Sequence, residues 1–333
     1  MQKFVLLLCH DRSGSNLTRS ILNQHPEIYI IPPIPIFEVL FPVIGRYGSL
    51  DDNGKWHQLL CDIVALAEAN HFTQTYPITL PELAEAAAGR SRSLGQACKA
   101  CFETIVRKSG RLHGGLKSGI QPEKLKPFIE TTGFTHAVFQ IRDPRDVALS
   151  TVKAARNRAK PEDFVIGWLA WQRNARRVLG ETMAGRFIEV QYERLIGDPG
   201  EVLMEIWASL GVSAAANPLE FYRGYEQIVA ARTSYMWENL KQPLMQSNFE
   251  KYYREWNEAA IRRLDAALGP GLVEFGYSPA VSNRFLSIDS EPTPRELNEA
   301  DKSLTTRMEA TFQTISHRLA AADGMTGTPL PMA

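Results

Sequence analysis

The sequence FVLLLCHDRSGSNLTRSIL, residues 4–22, joins an apolar run to an amphipathic one across a short polar turn. Phe4–Cys9 contains no charged side chain, a pattern typical of a strand that is buried on both faces of a parallel sheet. Residues 16–24 carry apolar side chains at helical spacing, and the turn before them is rich in serine and glycine. The stretch therefore predicts a strand, a loop and a helix in that order.

Two later units have the same arrangement. Residues 136–141 form a second apolar run, followed by a polar turn and by a helix that we expect to begin near Asp146. Residues 186–191 form a third run, and the helix after it opens with Asp198 as its cap and Pro199 at its first position. Strands that alternate with helices predict an α/β fold, with a P-loop-like central parallel sheet flanked by helices.

The remaining segments predict the domain organisation of the chain. We expect a single α/β domain over residues 1–280, with a helical cap at about 40–115 and a capping loop at about 225–250. Such segments would shape a pocket, because open α/β sheets bind ligands at the carboxyl ends of their strands. We expect residues 281–333 to form a C-terminal extension, with a helix followed by a disordered tail. This helix could serve for packing or for the formation of a homodimer.

Composition excludes several classes of protein. Lys+Arg and Asp+Glu are 37 each in 333 residues, so no excess of charge points to nucleic acid. No apolar run is long enough to cross a bilayer and no cleavable leader is recognisable, so we expect a cytoplasmic protein without a membrane span. Cys98 and Cys101 have metal-ligand spacing but no second pair, so we expect two reduced helix cysteines and no metal site.

The turn after the first strand has the chemistry of an anion site. Gly14 lets the backbone approach a ligand, Arg12 adds a permanent charge, and the hydroxyls of Ser13 and Ser15 can donate to phosphate oxygens. The alternative is an ordinary capped turn, with Ser13 or Ser15 as the N-cap of the next helix. The loop lacks the GxxxxGK[ST] spacing and its lysine, which disfavours a magnesium-dependent kinase.

Four segments in order along the chain resemble the sulfotransferases that use 3′-phosphoadenosine-5′-phosphosulfate (PAPS), in the branch whose phosphosulfate loop carries Arg in place of Lys. RSGSNLTRSILNQHPEI, residues 12–28, is similar to that loop and its helix. RDPRDVALS, residues 142–150, resembles the 3′-phosphate segment, and QYERLIGDPGEVLMEIWASLG, residues 191–211, resembles the segment near the adenine. Residues 251–277 resemble the closing Trp-containing helix and Gly-Tyr pair.

The resemblance implies a metal-independent transferase that uses PAPS and releases the 3′,5′-bisphosphate PAP. The residues that it implies for nucleotide binding are Arg12, Ser13, Gly14, Ser15, Asn16, Arg142, Ser150, Tyr192, Ser247 and Lys251. Arg12 would stabilise the charge on the leaving phosphate oxygen, with help from Lys117 and, beside it, Ser118. The acceptor would be a hydroxyl-type group of a small molecule, a sugar or a lipid.

The base that takes the acceptor's proton is not in its usual place. In similar sulfotransferases a Glu often follows the diproline, and in the cytosolic branch a His lies two residues after the lysine; those positions here are Ile34 and Gly119. The remaining candidates are Glu38, His10 and His113, and we favour Glu38 because the chain after Pro32-Pro33 should cross the acceptor site. Two alternatives stay open, a PAP- or acceptor-binding module without catalysis and a nucleotide kinase with a degenerate P-loop.

Overall fold

A five-stranded parallel sheet forms the centre of the protein. The computed structural model describes residues 2–70, 75–154, 160–224, 235–281, 284–285, 292 and 299–322. The strands are Phe4–Cys9 (β1), Ile28–Ile31 (β2), His113–Ser118 (β3), His136–Ile141 (β4) and Phe187–Gln191 (β5). Their order in the sheet is β2-β3-β1-β4-β5, so β1 lies in the middle. The carboxyl ends of β1, β3 and β4 therefore meet at one edge.

Helices follow the strands and cover the sheet. The α-helices are Ser15–Leu22 (α1), Ile36–Leu40 (α2), Asn53–Ala69 (α3), Leu80–Ala87 (α4), Leu94–Lys108 (α5), Pro122–Thr132 (α6), Pro144–Lys153 (α7), Pro161–Thr182 (α8), Tyr192–Gly197 (α9), Pro199–Leu210 (α10), Tyr252–Glu255 (α11), Glu258–Leu268 (α12), Pro270–Glu274 (α13) and Glu299–Ala322 (α14). Within the described residues, three 3₁₀ helices are Phe41–Tyr47, Pro218–Arg223 and Tyr235–Lys241. No helix in these described ranges combines the length and the apolarity of a membrane span.

The side chains of β1 alternate between two hydrophobic cores. Leu6 and Leu8 belong to the larger core, which includes residues from α3, α5, α6, α8 and α12. Val5 and Leu7 belong to the smaller core, which includes residues from α1 and α10. Because both faces are covered, every residue of β1 is buried and apolar, as the opening run of the sequence predicts.

The predicted α/β class, parallel sheet and flanking helices are confirmed. β1 and β4 have the predicted bounds, β5 begins one residue later, and Asp198 caps α10 by accepting a hydrogen bond from Glu201 N at 3.1 Å. β2 was missed, because its four residues are too few for a clear periodicity between turns. In the segment predicted as a cap, α5 packs against β2 and β3 and so also covers the sheet.

The predicted C-terminal helix is present as α14 and packs against α3. Met308, Phe312, Ile315 and Leu319 are buried along one side of α14. Arg318 forms an ion pair with Asp62 of α3. The predicted tail, and the part of the capping loop over residues 225–234, lie outside the described residues.

A buried arginine connects the helix after β4 to the rest of the fold. Arg145 is 1% exposed and donates to both carboxylate oxygens of Asp143, at 2.9 and 2.7 Å. It also donates to Asp265 of α12 at 2.9 Å and stacks over the Tyr252 ring at 4.3 Å. The guanidinium therefore neutralises two carboxylates and fixes the start of α7.

We expect Arg145→Ala to lower the free energy of unfolding by about 3 kcal/mol or more, because it leaves Asp143 and Asp265 without their cation. Urea denaturation measures the loss. The matched control is Arg177→Ala, whose exposed pair with Glu181 should contribute less than about 1 kcal/mol. Equal losses in the two variants would contradict this assignment.

Candidate active site

The loop between β1 and α1 has an unusual backbone. Arg12 and Gly14 both have positive φ, 65° and 81°, and Arg12 is thus held where non-glycine residues are rare. Gly14 is the N-cap of α1 and no side chain caps the helix. The capped-turn alternative is therefore wrong, because neither Ser13 nor Ser15 takes that role. The first N–H groups of α1 remain available to an anion.

Tyr192 fixes the conformation of this loop. A Cβ atom at position 14 would lie 2.3 Å from Tyr192 Cε2, so only glycine fits against the ring. The guanidinium of Arg142 stacks on the same ring, with its Cζ 4.4 Å from the ring centroid. The Tyr192 phenol oxygen accepts a hydrogen bond from Asn248 Nδ2 at 2.7 Å. The ends of β1, β4 and β5 are thereby joined through one side chain.

Arg142 is the most connected cation in this region. Its guanidinium donates to the backbone oxygens of Arg12 at 3.2 Å and Asn248 at 3.3 Å, and to Asp146 Oδ2 at 3.4 Å. Arg142 Nε is buried and has no hydrogen-bond partner among the described residues. Arg12 Nε donates to Ser150 Oγ at 3.0 Å. The chain thus brings Arg12, Arg142 and Ser150 together.

These residues open onto a cavity of about 610 Å³, which we call the first cavity. Most of the residues predicted to bind the nucleotide line it, as do two predicted catalytic residues, Arg12 and Lys117. The predicted residues that line it are Arg12, Gly14, Ser15, Asn16, Lys117, Arg142, Ser150, Tyr192 and Lys251. The 3₁₀ helix Tyr235–Lys241, in the predicted capping loop, adds Trp237 and its neighbours to the wall. Sequence reasoning missed Trp237, Asn248 and Lys153, which no motif marks.

The electrostatics of the first cavity favour a polyanionic ligand. Burial and the neighbouring Arg142 lower the pKa of Lys251, as expected where cations crowd together. Burial raises the pKa of Asp146, although the charge of Arg142 opposes the rise. Lys117, at 8% exposed, adds another buried cation from the end of β3. A ligand with several negative charges would relieve this repulsion.

Glu193 stabilises the turn after β4. Its carboxylate accepts hydrogen bonds from Asp143 N at 2.9 Å and from the Tyr277 hydroxyl at 3.0 Å. Burial, with the nearby charge of Asp143, raises the pKa of Glu193 to about 7. Tyr277, of the Gly-Tyr pair, is thus hydrogen-bonded to the carboxylate that supports the turn carrying Arg142.

Four of the predicted site residues, Ser13, Ser247, Glu38 and His10, do not line the first cavity. Ser13 is fully buried, and its hydroxyl has no partner among the described side chains and backbone groups. Ser247 is exposed, and its carbonyl accepts from Arg254 at 2.9 Å. Glu38 is half-buried; one carboxylate oxygen accepts from Ser118 Oγ at 2.9 Å, and the other, Oε2, is enclosed with no partner among the described residues. Burial raises the pKa of Glu38.

A second cavity, of about 710 Å³, meets the first one at Asp11 and Arg12. It lies between the end of β1, the start of α6 and one side of α8, and His10, Thr151, Phe164, Trp168 and Trp171 line it. His10 is therefore next to Arg12 but outside the first cavity. His113 lies at the opposite, amino end of the sheet, where its Nδ1 accepts from Lys3 N at 3.2 Å.

The chain matches the family model described as the sulfotransferase family over residues 5–216. A sulfotransferase domain from the curacin biosynthetic pathway is 17% identical and has a TM-score of 0.52, with 84% of this chain and 99% of that chain covered. The sulfotransferase domain of a Synechococcus olefin synthase is 19% identical at a TM-score of 0.49, with 80% and 95% covered. A mouse sulfotransferase complexed with PAP is 12% identical at 0.42, with 81% and 84% covered.

No curated protein matches the sequence of the chain. The likeness to the curacin-pathway domain shows the fold, and the family model covers well over half of the chain. Among the described residues, no group of His, Cys, Asp and Glu side chains is arranged to hold a metal ion. The strand-end loops that build the first cavity from β1, β3, β4 and β5 fall inside the matched range. The chain belongs to the sulfotransferase family.

Proposed function

We propose that the protein transfers a sulfuryl group from PAPS to a hydroxyl-type acceptor, with the nucleotide in the first cavity. The observation that carries the proposal is the cluster of Arg12, Lys117, Arg142 and Lys251 around that cavity. PAP carries phosphates at its 3′ and 5′ positions, and charge-assisted hydrogen bonds to them would use these cations. The match to the sulfotransferase family supports sulfuryl transfer as the reaction.

The 5′-phosphosulfate would bind at the start of α1. Gly14 leaves the first N–H groups of this helix uncapped, and the helix dipole favours an anion there. Arg12 and Lys117 line the same cavity from β1 and β3. Both are placed to stabilise the charge that grows on the leaving phosphate oxygen.

The 3′-phosphate would bind between Arg142, Ser150 and Lys251. Arg142 Nε has a hydrogen that no described group accepts, which suits a phosphate oxygen. Ser150 Oγ accepts from Arg12, so its own hydrogen remains free to donate. Tyr192 and Trp237 add aromatic surface to the cavity that an adenine ring can contact.

We expect PAP to raise the melting temperature by several degrees in EDTA, since a ligand of the native state at 100 times its Kd adds about 2.7 kcal/mol. Thermal shift with PAP, and separately with ATP and Mg²⁺, makes the test. Stabilisation by ATP and Mg²⁺ but not by PAP would favour the kinase alternative. Incubation with PAPS and a metabolite extract, read by the mass of one added sulfuryl group, separates an enzyme from a binding module.

Arg142→Ala should weaken PAP binding by roughly 1.5 to 3 kcal/mol, because it removes a charge-assisted phosphate contact. Calorimetry measures the affinity, and urea denaturation checks that the variant is folded. Arg142→Lys keeps the charge but loses the planar fork, so an intermediate affinity is expected. Arg111→Ala, whose guanidinium contacts the Pro26 carbonyl far from the cavity, is the control. Unchanged affinity in Arg142→Ala would remove Arg142 from the nucleotide site.

Gly14→Ala should also weaken PAP binding, by about tenfold (~1.4 kcal/mol) or more. The added Cβ would overlap the Tyr192 ring and would be strained at a φ of 81°, so the loop or the ring has to move. Gly48→Ala is a matched control, because Gly48 also has positive φ but nothing lies within 4 Å of its Cβ position. If the two variants bind PAP equally well, the contact with Tyr192 does not shape the site.

A further inference from the structure

We infer that the acceptor hydroxyl binds in the second cavity and that His10 Nε2 takes its proton as the sulfuryl group is transferred. The inference rests on the proposed function. It adds a site for the acceptor, a chemical class for it and the residue that acts as the base.

The position of the second cavity is the first argument. The two cavities share Asp11 and Arg12, and of two neighbouring residues in α7, Ser150 lines the first and Thr151 the second. Arg12 is also the residue proposed to face the leaving phosphate oxygen. In an in-line transfer the acceptor oxygen must approach the sulfur from the side opposite the leaving oxygen. The second cavity lies outside the nucleotide cavity and adjoins it at Arg12, so an acceptor bound there can reach the phosphosulfate without displacing the nucleotide.

The hydrogen bond of His10 fixes which ring nitrogen is basic. His10 Nδ1 lies 3.0 Å from the backbone oxygen of Asp11. A carbonyl oxygen only accepts, so Nδ1 carries the hydrogen and Nε2 has the free lone pair. No described group forms a hydrogen bond with Nε2. Phe164 and Trp171 meet the imidazole ring edge-on, at 5.6 and 5.4 Å between centroids, and hold its orientation.

The charges around His10 are compatible with a neutral base. Burial lowers the pKa of His10 below its ordinary value, and the hydrogen bond to the Asp11 carbonyl and the Asp11 carboxylate oppose this. The other charged groups that line the cavity are Arg12 from the loop, Glu123 from α6, and Asp163 and Arg177 from α8. With the pKa lowered, most His10 rings are unprotonated at neutral pH and can accept a proton.

Glu38 is placed less well for this step. Its carboxylate already accepts from Ser118 Oγ and lines neither cavity. Lys124 Nζ donates to the Glu38 backbone oxygen at 3.4 Å. We therefore interpret Glu38 as a side chain that positions Ser118, which lies next to Lys117 at the end of β3.

The transfer step balances without another reactant. The acceptor oxygen forms a bond to sulfur while the bond between sulfur and the phosphate oxygen breaks. That oxygen keeps the electron pair and becomes part of PAP. The hydroxyl proton moves to His10 Nε2, and the imidazolium later releases it to water.

The walls of the second cavity indicate the class of acceptor. Phe164, Trp168 and Trp171 form an aromatic side, and Trp168 is fully buried with an indole N–H that no described group accepts. Asp11, Glu123 and Asp163 disfavour an anion, while Arg177 is paired with Glu181 at 2.7 Å. An uncharged aromatic molecule with a hydroxyl group fits these walls best, so phenols are suitable probes.

The kinetic test uses uncharged para-substituted phenols of graded acidity with saturating PAPS. We expect His10→Ala to lower kcat/KM by ~10²-fold for the least acidic phenol and progressively less for more acidic ones, which need no base. The acidic limb of the wild-type pH profile, below pH ~6.5, should be lost in His10→Ala. His57→Ala, an exposed histidine on α3, should match the wild type. A uniform loss across the series, or a larger loss in Glu38→Gln, would overturn the assignment.

Two further measurements separate this inference from the proposed function. PAP affinity of His10→Ala, by calorimetry, should equal that of the wild type. If the wild type itself fails to bind PAP, the proposed function fails; if it binds PAP but sulfates none of the phenols, the aromatic acceptor class is overturned. ¹⁵N NMR of histidine-labelled protein should show His10 with hydrogen on Nδ1 and a lowered pKa. Hydrogen on Nε2 would remove His10 as the base, whatever the acceptor.

Discussion

The close contact between Gly14 and the Tyr192 ring is the constraint on which the candidate site depends. It permits no side chain at position 14 and so holds the β1–α1 loop in its left-handed conformation. The same ring lies under the guanidinium of Arg142 and receives a hydrogen bond from Asn248. Loops from three strands and the segment around Asn248 are therefore positioned relative to one another by packing. Such preorganisation lowers the entropy that binding must overcome.

Five cations line the first cavity, Arg12, Lys117, Arg142, Lys153 and Lys251, against four carboxylates, Asp11, Asp146, Glu238 and Glu255. Arg142 pairs with Asp146 and Lys153 with Glu255, but Lys117 has no ion pair among the described residues. Burial, with the charge of Arg142 nearby, lowers the pKa of Lys251. Arg145, only a few residues away, shows the opposite arrangement, since two carboxylates neutralise it. Arg142, just before α7, thus lines the cavity, whereas Arg145, in the first turn of α7, is enclosed by its ion pairs.

Much of the fold was predictable because the central strands are buried on both faces. An uninterrupted apolar run marks β1, and a run broken by Gln140 marks β4, whereas the four residues of β2 give no comparable signal. Most residues that line the first cavity from the strand-end loops follow the strands at recognisable spacings, so they could be identified from the sequence. Asn248 and the second cavity could not, because they arise from packing between distant segments. The hydrogen on His10 Nδ1 depends on one backbone carbonyl, which no sequence pattern reports.

The docking of α14 on α3 bears on where this chain can be cut. The family match ends at residue 216, yet Asn248 and Lys251 of the first cavity and the apolar side of α14 lie beyond it. A fragment trimmed to the match would lose part of the wall of the first cavity and uncover the surface of α3 on which α14 packs. That surface, with Asp62 deprived of Arg318, would be poorly soluble. The segment that matches the family model is therefore shorter than a fragment that keeps both the first cavity and the contact between α14 and α3.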